Sequence, residues 1–319
     1  MSSELLMVRQ RPGGADAAPW ILDRHGRRMQ GHDDARRCAR LQNGLARHER
    51  VRAATADAGD EDVERIVGAL HDPAYVQGLR SVDWQEPTLL PEWAPPGLPA
   101  DSPVWAGVVT SAFEGVRTAV AAAQRILGGA RFAYAVCRPP GHHAGPAWMG
   151  GYCYLNTAAA AAQALREGGA RPAILDLDFH FPTGTAAVAA GMGEVPLHSL
   201  HASTLAEVPW RAVPEREHER FVDFASPPDA GSYADALEDS LRELARSSEA
   251  LVLSLGYDTV AGDPHGSWSF QPQTFARIGR CLKESGLPVC VVQEGGYALD
   301  ALPACSHAFA AGLLNGGDG

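Results

Sequence analysis

The chain has 319 residues, 45% hydrophobic and 20% charged, with a net charge of -11, the balance of a soluble globular protein large enough for one big α/β domain or two ordinary ones. That acidity argues against nucleic acid as a partner. No apolar run approaches the roughly 20 residues that cross a bilayer, and the amino end lacks a basic-then-apolar secretion pattern, so a cytoplasmic protein with no membrane partner is expected.

No shift in composition marks a second domain, and one domain over residues 1–319 is expected. Lys283 is the sole lysine beside many arginines, and with abundant Ala, Gly and Pro this suggests a GC-rich, bacterial genome. Six scattered cysteines form no C-x-x-C pair and read as reduced core residues. A negative field favours a cationic small substrate, although the same charge also serves solubility alone.

In chain order, Glu4 to Val8 predicts an initial strand and His32 to His48 a helix with Leu41 and Leu45 on one face. Val63 to Leu70 reads as helix, followed by a new turn at His71-Asp72-Pro73. Trp84 to Pro103 is rich in proline and reads as a long loop, of the kind that is more often functional than idle. Val104 to Leu127 has helical spacing stopped by Gly128-Gly129. The apolar runs Phe132 to Cys137, Ala173 to Leu177, Ala250 to Leu255 and Leu287 to Val292 read as buried strands, with helices at Thr157 to Glu167, Tyr233 to Arg246 and Pro272 to Ser285. Such alternation predicts an α/β fold, a single open parallel sheet with helices on both faces.

Each of those four runs ends in ionisable or phenolic groups, where the ligand crevice of an open parallel sheet forms. The first is followed by His142-His143, the second by Asp176-Leu177-Asp178-Phe179-His180, the third by Gly256-Tyr257-Asp258 and the fourth by Glu294-Gly295-Gly296-Tyr297. Together they read as one site. Asp178 and His180, two apart on extended chain, point to one side, and Asp258 completes three protein ligands with an open position, the pattern of a catalytic rather than structural metal. In isolation a D-x-H reads more often as a buried polar pair than as a metal site; the other clusters beside it turn the reading toward the metal. His142 and His143 are candidates for proton transfer, Tyr297 for donation to an oxyanion, and Asp176 for orienting His142.

The strings Arg138 to Asn156, Asp176 to His180, Ser199-Leu200-His201, Gly256 to Pro264 and Glu294 to Tyr297 resemble the arginase/deacetylase superfamily. Within it the chain is similar to zinc-dependent histone deacetylase-like amidohydrolases, above all bacterial acetylpolyamine amidohydrolases. The resemblance runs from about His71 to Ala311. It implies the superfamily's sheet of about eight strands, and one Zn²⁺ per chain held by Asp178, His180 and Asp258. It further implies His143 as general base and acid, His142 as its electrostatic partner held by Asp176, and Tyr297 as oxyanion donor. Gly151 would accept the substrate amide N–H through its carbonyl, Tyr152 and Trp210 would wall an acyl tunnel, and Asp101 would be a rim carboxylate. A structural K⁺ is implied at Asp176 and backbone oxygens near Asp178, His180, Ser199 and Leu200. The implied partner is a small acylated amine, on a monomer or homodimer.

The chain departs from the family string D-x-H-H-G-[ND]-G-T at Phe181-Pro182-Thr183, where Thr183 replaces the residue that supports His143. Loss of such a partner costs on the order of 10- to 100-fold in activity. The Trp84 to Pro103 loop is shorter than the insertion of acetylpolyamine enzymes, which opens the entrance to bulkier amides. Three readings follow: a zinc-dependent deacylase of linear amides, a catalytically silent binding protein with the same pocket, and a binuclear manganese ureohydrolase. The last needs a carboxylate where Pro182 stands.

Overall fold

Continuous apolar runs without a polar face are what strands covered on both sides require. The computed structural model describes residues 4–13, 16–23, 25–203 and 216–315. Its elements are β1 (Leu5–Arg9), β2 (Trp20–Leu22), β3 (Arg28–Gln30), α1 (Ala35–Leu45), β4 (Val51–Thr55), α2 (Asp60–Leu70), α3 (Pro73–Arg80), α4 (Ala106–Leu127), β5 (Phe132–Val136), α5 (Thr157–Glu167) and β6 (Pro172–Asp176). They continue with α6 (Thr183–Gly191), β7 (Leu197–Ala202), β8 (Glu219–Phe224), α7 (Ala230–Ser247), β9 (Ala250–Leu255), α8 (Pro272–Glu284), β10 (Val289–Gln293) and α9 (Leu302–Asn315).

Eight strands form one parallel sheet in the order β4-β1-β5-β10-β9-β6-β7-β8. The four strands whose ends carry the candidate site, β5, β10, β9 and β6, are therefore consecutive across its middle. Strand alternation sorts the two layers. Phe132, Tyr134 and Val136 of β5 join the core shared with α1, α7, α8 and α9, whereas Ala133 and Ala135 join the core under α2, α4 and α5. Small side chains on that second face suit the alanine-rich α4 and α5. Asn156 starts α5 by accepting from Ala159 N, and the turn after it passes through Gly169 at φ 89°.

Several elements go beyond the sequence expectation. β4 and β8 are sheet edges, and β2 and β3 pair as an antiparallel hairpin. α6 occupies the departing segment, with Pro182 at its amino end. Phe181 is buried there, its ring 4.9 Å from Phe221 and 5.0 Å from His201. The expected Trp84 to Pro103 loop holds a 3-10 turn at Pro91–Trp93 and closes on itself through a Thr88–Val104 bridge. Among the described residues no helix is long and apolar enough to cross a membrane.

Helices α8 and α9 approach so closely that a Cβ on Gly312 would stand 1.9 Å from the Ala276 carbonyl oxygen, while Gly68, exposed on α2, has nothing within 4 Å. Gly312→Ala is expected to destabilise by about 1–3 kcal/mol and Gly68→Ala to stabilise by about 0.5–1 kcal/mol. Urea unfolding of the two variants checks these opposite signs.

Candidate active site

The central feature is a pair of buried carboxylates. Asp178 and Asp258 are fully buried, and with His180 their ligating atoms lie within 4.8 Å of one another. Asp178 Oδ1 accepts from His180 N at 2.9 Å and Oδ2 from Gly295 N at 2.9 Å. Asp258 Oδ1 accepts from Phe179 N at 3.1 Å. Asp258 Oδ2 has no hydrogen-bonded partner, although His180 Nδ1 is 3.1 Å away. His180 Nδ1 is also 3.1 Å from Asp178 Oδ1. One nitrogen and two carboxylates thus converge on a common point.

Electrostatics and sterics agree that this set fits a divalent cation. Burial and then the Asp178 charge push the Asp258 carboxyl up to about 7. Burial opposes charge on His180, but Asp178 and Asp258 hold its imidazole up at about 10. Burial likewise works against the Asp178 charge, yet His142 and His180 hold that carboxyl below its usual range. The backbone leaves a cradle. A Cβ on Gly256 would fall 2.3 Å from Asp178 Oδ2, and one on Gly295 2.5 Å from Asp258 Oδ2. The donor set of two oxygens and one imidazole nitrogen suits a borderline divalent ion with an open position.

Beside this set stand the two adjacent histidines, their rings 4.1 Å apart, with His143 5.7 Å from the His180 ring. His142 Nδ1 lies 3.2 Å from Asp176 Oδ2 and its Nε2 3.6 Å from Asp178 Oδ1. Burial opposes its charge, but Asp178 and Asp176 raise it to about 10. His143 is pushed well below the usual range by burial and by the imidazoles of His142 and His180. Two neighbouring imidazoles are driven apart, one toward the cation and one toward the neutral base. Glu294 supports the turn that carries them: Oε2 accepts from Gly141 N and His142 N at 2.7 and 3.1 Å, and Oε1 from Ser254 Oγ at 2.9 Å.

Tyr297 is held from three directions. Asp263 Oδ2 accepts its N–H at 2.6 Å, the Arg37 guanidinium lies 4.3 Å above its ring, and Arg37 Nε donates to the Gly296 carbonyl at 2.7 Å. Arg37 itself is buried and paired with Asp33, and Asp33 also receives Arg138 at 2.9 Å. The phenol stays protonated, burial raising its titration well above the usual range.

A cavity of about 570 Å³ opens over these groups, lined by His142, His143, Asp178, His180, Asp258 and Tyr297 and walled by Gly151, Tyr152 and His265. Its mouth is formed by the β2–β3 hairpin with Leu98, Pro99 and Asp101. Asp101 lines the cavity and receives Gly151 N at 3.1 Å, so its carboxylate also fixes the turn that carries Gly151 and Tyr152. Gly151 and Tyr152 both have positive φ, 56° and 67°. Trp210 lies outside the described residues.

One correction concerns the four strand ends. Tyr257, grouped with them by sequence, turns into the core, its ring 4.8 Å from Phe275. Arg37, Asp33, Asp263 and His265 were assigned no role by sequence reasoning. Arg37 sits among many arginines with no distinguishing local signal, while the Asp263-Pro264-His265-Gly266 turn after Asp258 is the one stretch whose spacing offered a lead.

Cation binding must displace the protons that Asp258 and His180 hold near pH 7. Affinity for Zn²⁺ or Co²⁺ is therefore expected to rise between pH 6 and 8, with protons released on binding. Calorimetric titration in buffers of differing ionisation enthalpy reads both; an affinity flat across that interval contradicts the assignment.

The histone deacetylase domain family model matches residues 32–313. Acetylpolyamine amidohydrolase of Burkholderia pseudomallei is 34% identical over 277 residues, 83% of this chain and 77% of that protein. Acetylpolyamine amidohydrolase 1 of Pseudomonas aeruginosa is 34% identical over 222 residues, 63% of this chain but only 61% of its own length. The crystal structure of acetylpolyamine aminohydrolase from Burkholderia pseudomallei matches with a TM-score of 0.84 at 30% identity, over 97% of this chain and 98% of that one. The family implies a metal ion, which the carboxylates at the ends of β6 and β9 fit, and the parallel sheet beneath them is the one this match describes. By domain match, sequence and fold, the chain belongs to the histone deacetylase family of hydrolases.

Proposed function

We propose that the protein is a zinc-dependent deacylase that hydrolyses the linear C–N amide of a small N-acylated amine, releasing acetate or another short carboxylate. The observation that carries this reading is the convergence of Asp178, His180 and Asp258 within 4.8 Å, beneath a cavity that also holds His142, His143 and Tyr297. Zn²⁺ held by those three residues would supply Lewis acidity, polarising the amide carbonyl and making water acidic enough to lose a proton near neutral pH.

The chain's own groups account for the remaining chemistry. His143, kept neutral by burial and by its imidazole neighbours, takes the proton of the attacking water as the oxygen adds to the acyl carbon. The same proton passes to the amine nitrogen as the C–N bond breaks, so the products are a carboxylate and an amine. His142, bound to Asp176, keeps the base oriented. The Tyr297 hydroxyl, protonated, on a residue whose backbone N–H is held by Asp263 and whose ring lies against Arg37, donates to the oxygen that gains negative charge. The Gly151 carbonyl orients the substrate amide N–H.

Acetylated polyamines are the substrate class suggested by the relatives' names, and the net charge of -11 favours a cationic amine. The structural K⁺ near Asp176 rests on the family resemblance alone. The altered Phe181-Pro182-Thr183 segment supports the rival of a silent binding protein only weakly, since Phe181 packs into the core. A panel of acetylpolyamines, acetyl-lysine peptides and longer acyl amides, offered to Zn²⁺-loaded protein, is expected to yield turnover. Tyr297→Phe should lower kcat by about 10²- to 10³-fold with metal content unchanged. Full metal occupancy and ligand binding without cleavage of any amide would leave the silent binding protein.

A further inference from the structure

The cavity changes character between floor and mouth. Its floor holds the carboxylates, imidazoles and phenol described above, whereas Ile21, Leu22 and Met29 of the β2–β3 hairpin and Leu98 and Pro99 of the loop before α4 line its mouth. Met29 is 43% exposed, one of two large apolar side chains open to water among the described residues; the other, Leu127, lies outside the cavity. Leu22 N donates to the Asp101 carbonyl at 2.9 Å, which fastens the hairpin over the opening. With the scissile amide at the floor, the far end of a substrate's amine must pass these side chains.

The carboxylates at that mouth are already committed. Asp23 closes the hairpin on itself: Oδ1 accepts from His25 N and Arg27 N, each at 2.9 Å, and Oδ2 from Arg27 Nε at 2.7 Å. Asp101 turns inward, its two oxygens 3.1 and 3.2 Å from Gly151 N and Oδ1 also accepting from Ser102 Oγ at 2.8 Å. Among the described residues the other carboxylates lining the cavity are Asp178 and Asp258, on the floor. Cations outnumber acids on the hairpin, where the stretch from Asp23 to Arg28 holds three arginines and one aspartate. Arg28 lies over the Trp20 ring at 4.1 Å, and Arg27 lines the cavity. The net charge of -11 draws cations toward the protein, but salt screens charges more than about 10 Å away, so neighbours decide what the mouth holds.

Resting on the deacylase reading, we propose that the substrate is an N-acylated amine whose far end is apolar, and that the mouth discriminates against acylated polyamines. A terminal alkyl group covers Met29, Leu22 and Leu98 and removes apolar surface from water. A terminal ammonium at the same place sheds part of its hydration against those side chains, meets the Arg27 guanidinium and finds no carboxylate free to pair with it. The hairpin therefore turns a pocket of familiar chemistry toward a different class of amine.

The test compares N-acetylcadaverine with N-hexylacetamide, and N-acetyl-1,8-diaminooctane with N-nonylacetamide, pairs in which a methyl group replaces the terminal ammonium. With Zn²⁺-loaded full chain, the alkylacetamide of each pair is expected to exceed its partner by about tenfold in kcat/KM and in calorimetric affinity. Met29→Asp, which puts an unpaired carboxylate on the mouth wall, should bring both ratios to one or below. Leu127→Asp changes the net charge equally but lies outside the cavity, and should leave the ratios as they were. Equal or higher values for the ammonium compounds in the unaltered protein, or ratios that the two variants shift alike, overturn the proposal. If no compound of either series is cleaved the deacylase reading fails, and the affinity ratios still decide the preference of the mouth.

Discussion

Two carboxylates buried within reach of each other are the constraint that the rest of this molecule accommodates. Asp178 and Asp258 come from strands β6 and β9, which are neighbours in the sheet, so their closeness is built into the strand order. Burial disfavours each charge and like charges in a low-dielectric interior repel, a cost seen at Asp258, which burial first and then the Asp178 charge raise to about 7. Three backbone N–H groups and His180 relieve part of it. Gly256 and Gly295 follow from the same constraint: any side chain at either position would enter the space between the carboxylates. A divalent cation between them would compensate the rest, and the family implies a metal ion that these residues fit.

Around that centre lies a set of buried ionic and polar links whose work is orientation. Arg138 bridges Asp16 and Asp33, Arg37 pairs with Asp33, and Arg37 also binds the Glu294 and Gly296 carbonyls. Buried ion pairs of this kind are weak evidence for stability, because desolvation offsets their attraction. Here they fasten the segment before α1 to the loop after β10, which carries Tyr297. Asp263 and Glu294 act similarly, each using one carboxylate to join two chain segments distant in sequence. Apolar strands hold the sheet together, and these polar clasps decide where its loops point.

How much of this was legible in the sequence depends on where the information sits. β5, β6, β9 and β10 are apolar on both faces, so their runs could be read directly, and the groups at their ends were drawn to one crevice by the rule for parallel sheets. β4, β7 and β8 carry little such signal: Val51–Thr55 and Glu219–Phe224 are edges with polar faces, and Leu197–Ala202 contains two histidines and a serine. Tyr257 shows the limit of reading strand ends by residue type, since past β9 the chain bends and Asp258 takes the site while Tyr257 takes the core. Arg37 and His32 precede the quoted strings by a hundred residues and meet the site through contacts distant in sequence, Arg37 with the Gly296 carbonyl and His32 with His265. No local pattern encodes that.

The departure at Phe181-Pro182-Thr183 takes on a different meaning once the side chains are in place. Phe181 fills an aromatic cluster with Phe221 and His201, and Pro182 opens α6, whose Gly184 backbone packs so closely on Ala144 that a Cβ would lie 2.3 Å from its carbonyl oxygen. Phe181 and Pro182 therefore contribute aromatic packing and a helix start to the segment after His180, and the ligating atoms of Asp178, His180 and Asp258 lie within 4.8 Å of one another. The polar groups at the channel wall and mouth lie on other loops: His265 and Tyr152 beside Tyr297, Asp101 under Gly151, and the β2–β3 hairpin across the opening. A hydrolytic centre held by the sheet and an entrance held by loops are separable in this architecture, because the first is constrained by strand order and the second only by a few hydrogen bonds. The loops that line the cavity above are thus free to vary without disturbing the carboxylates below.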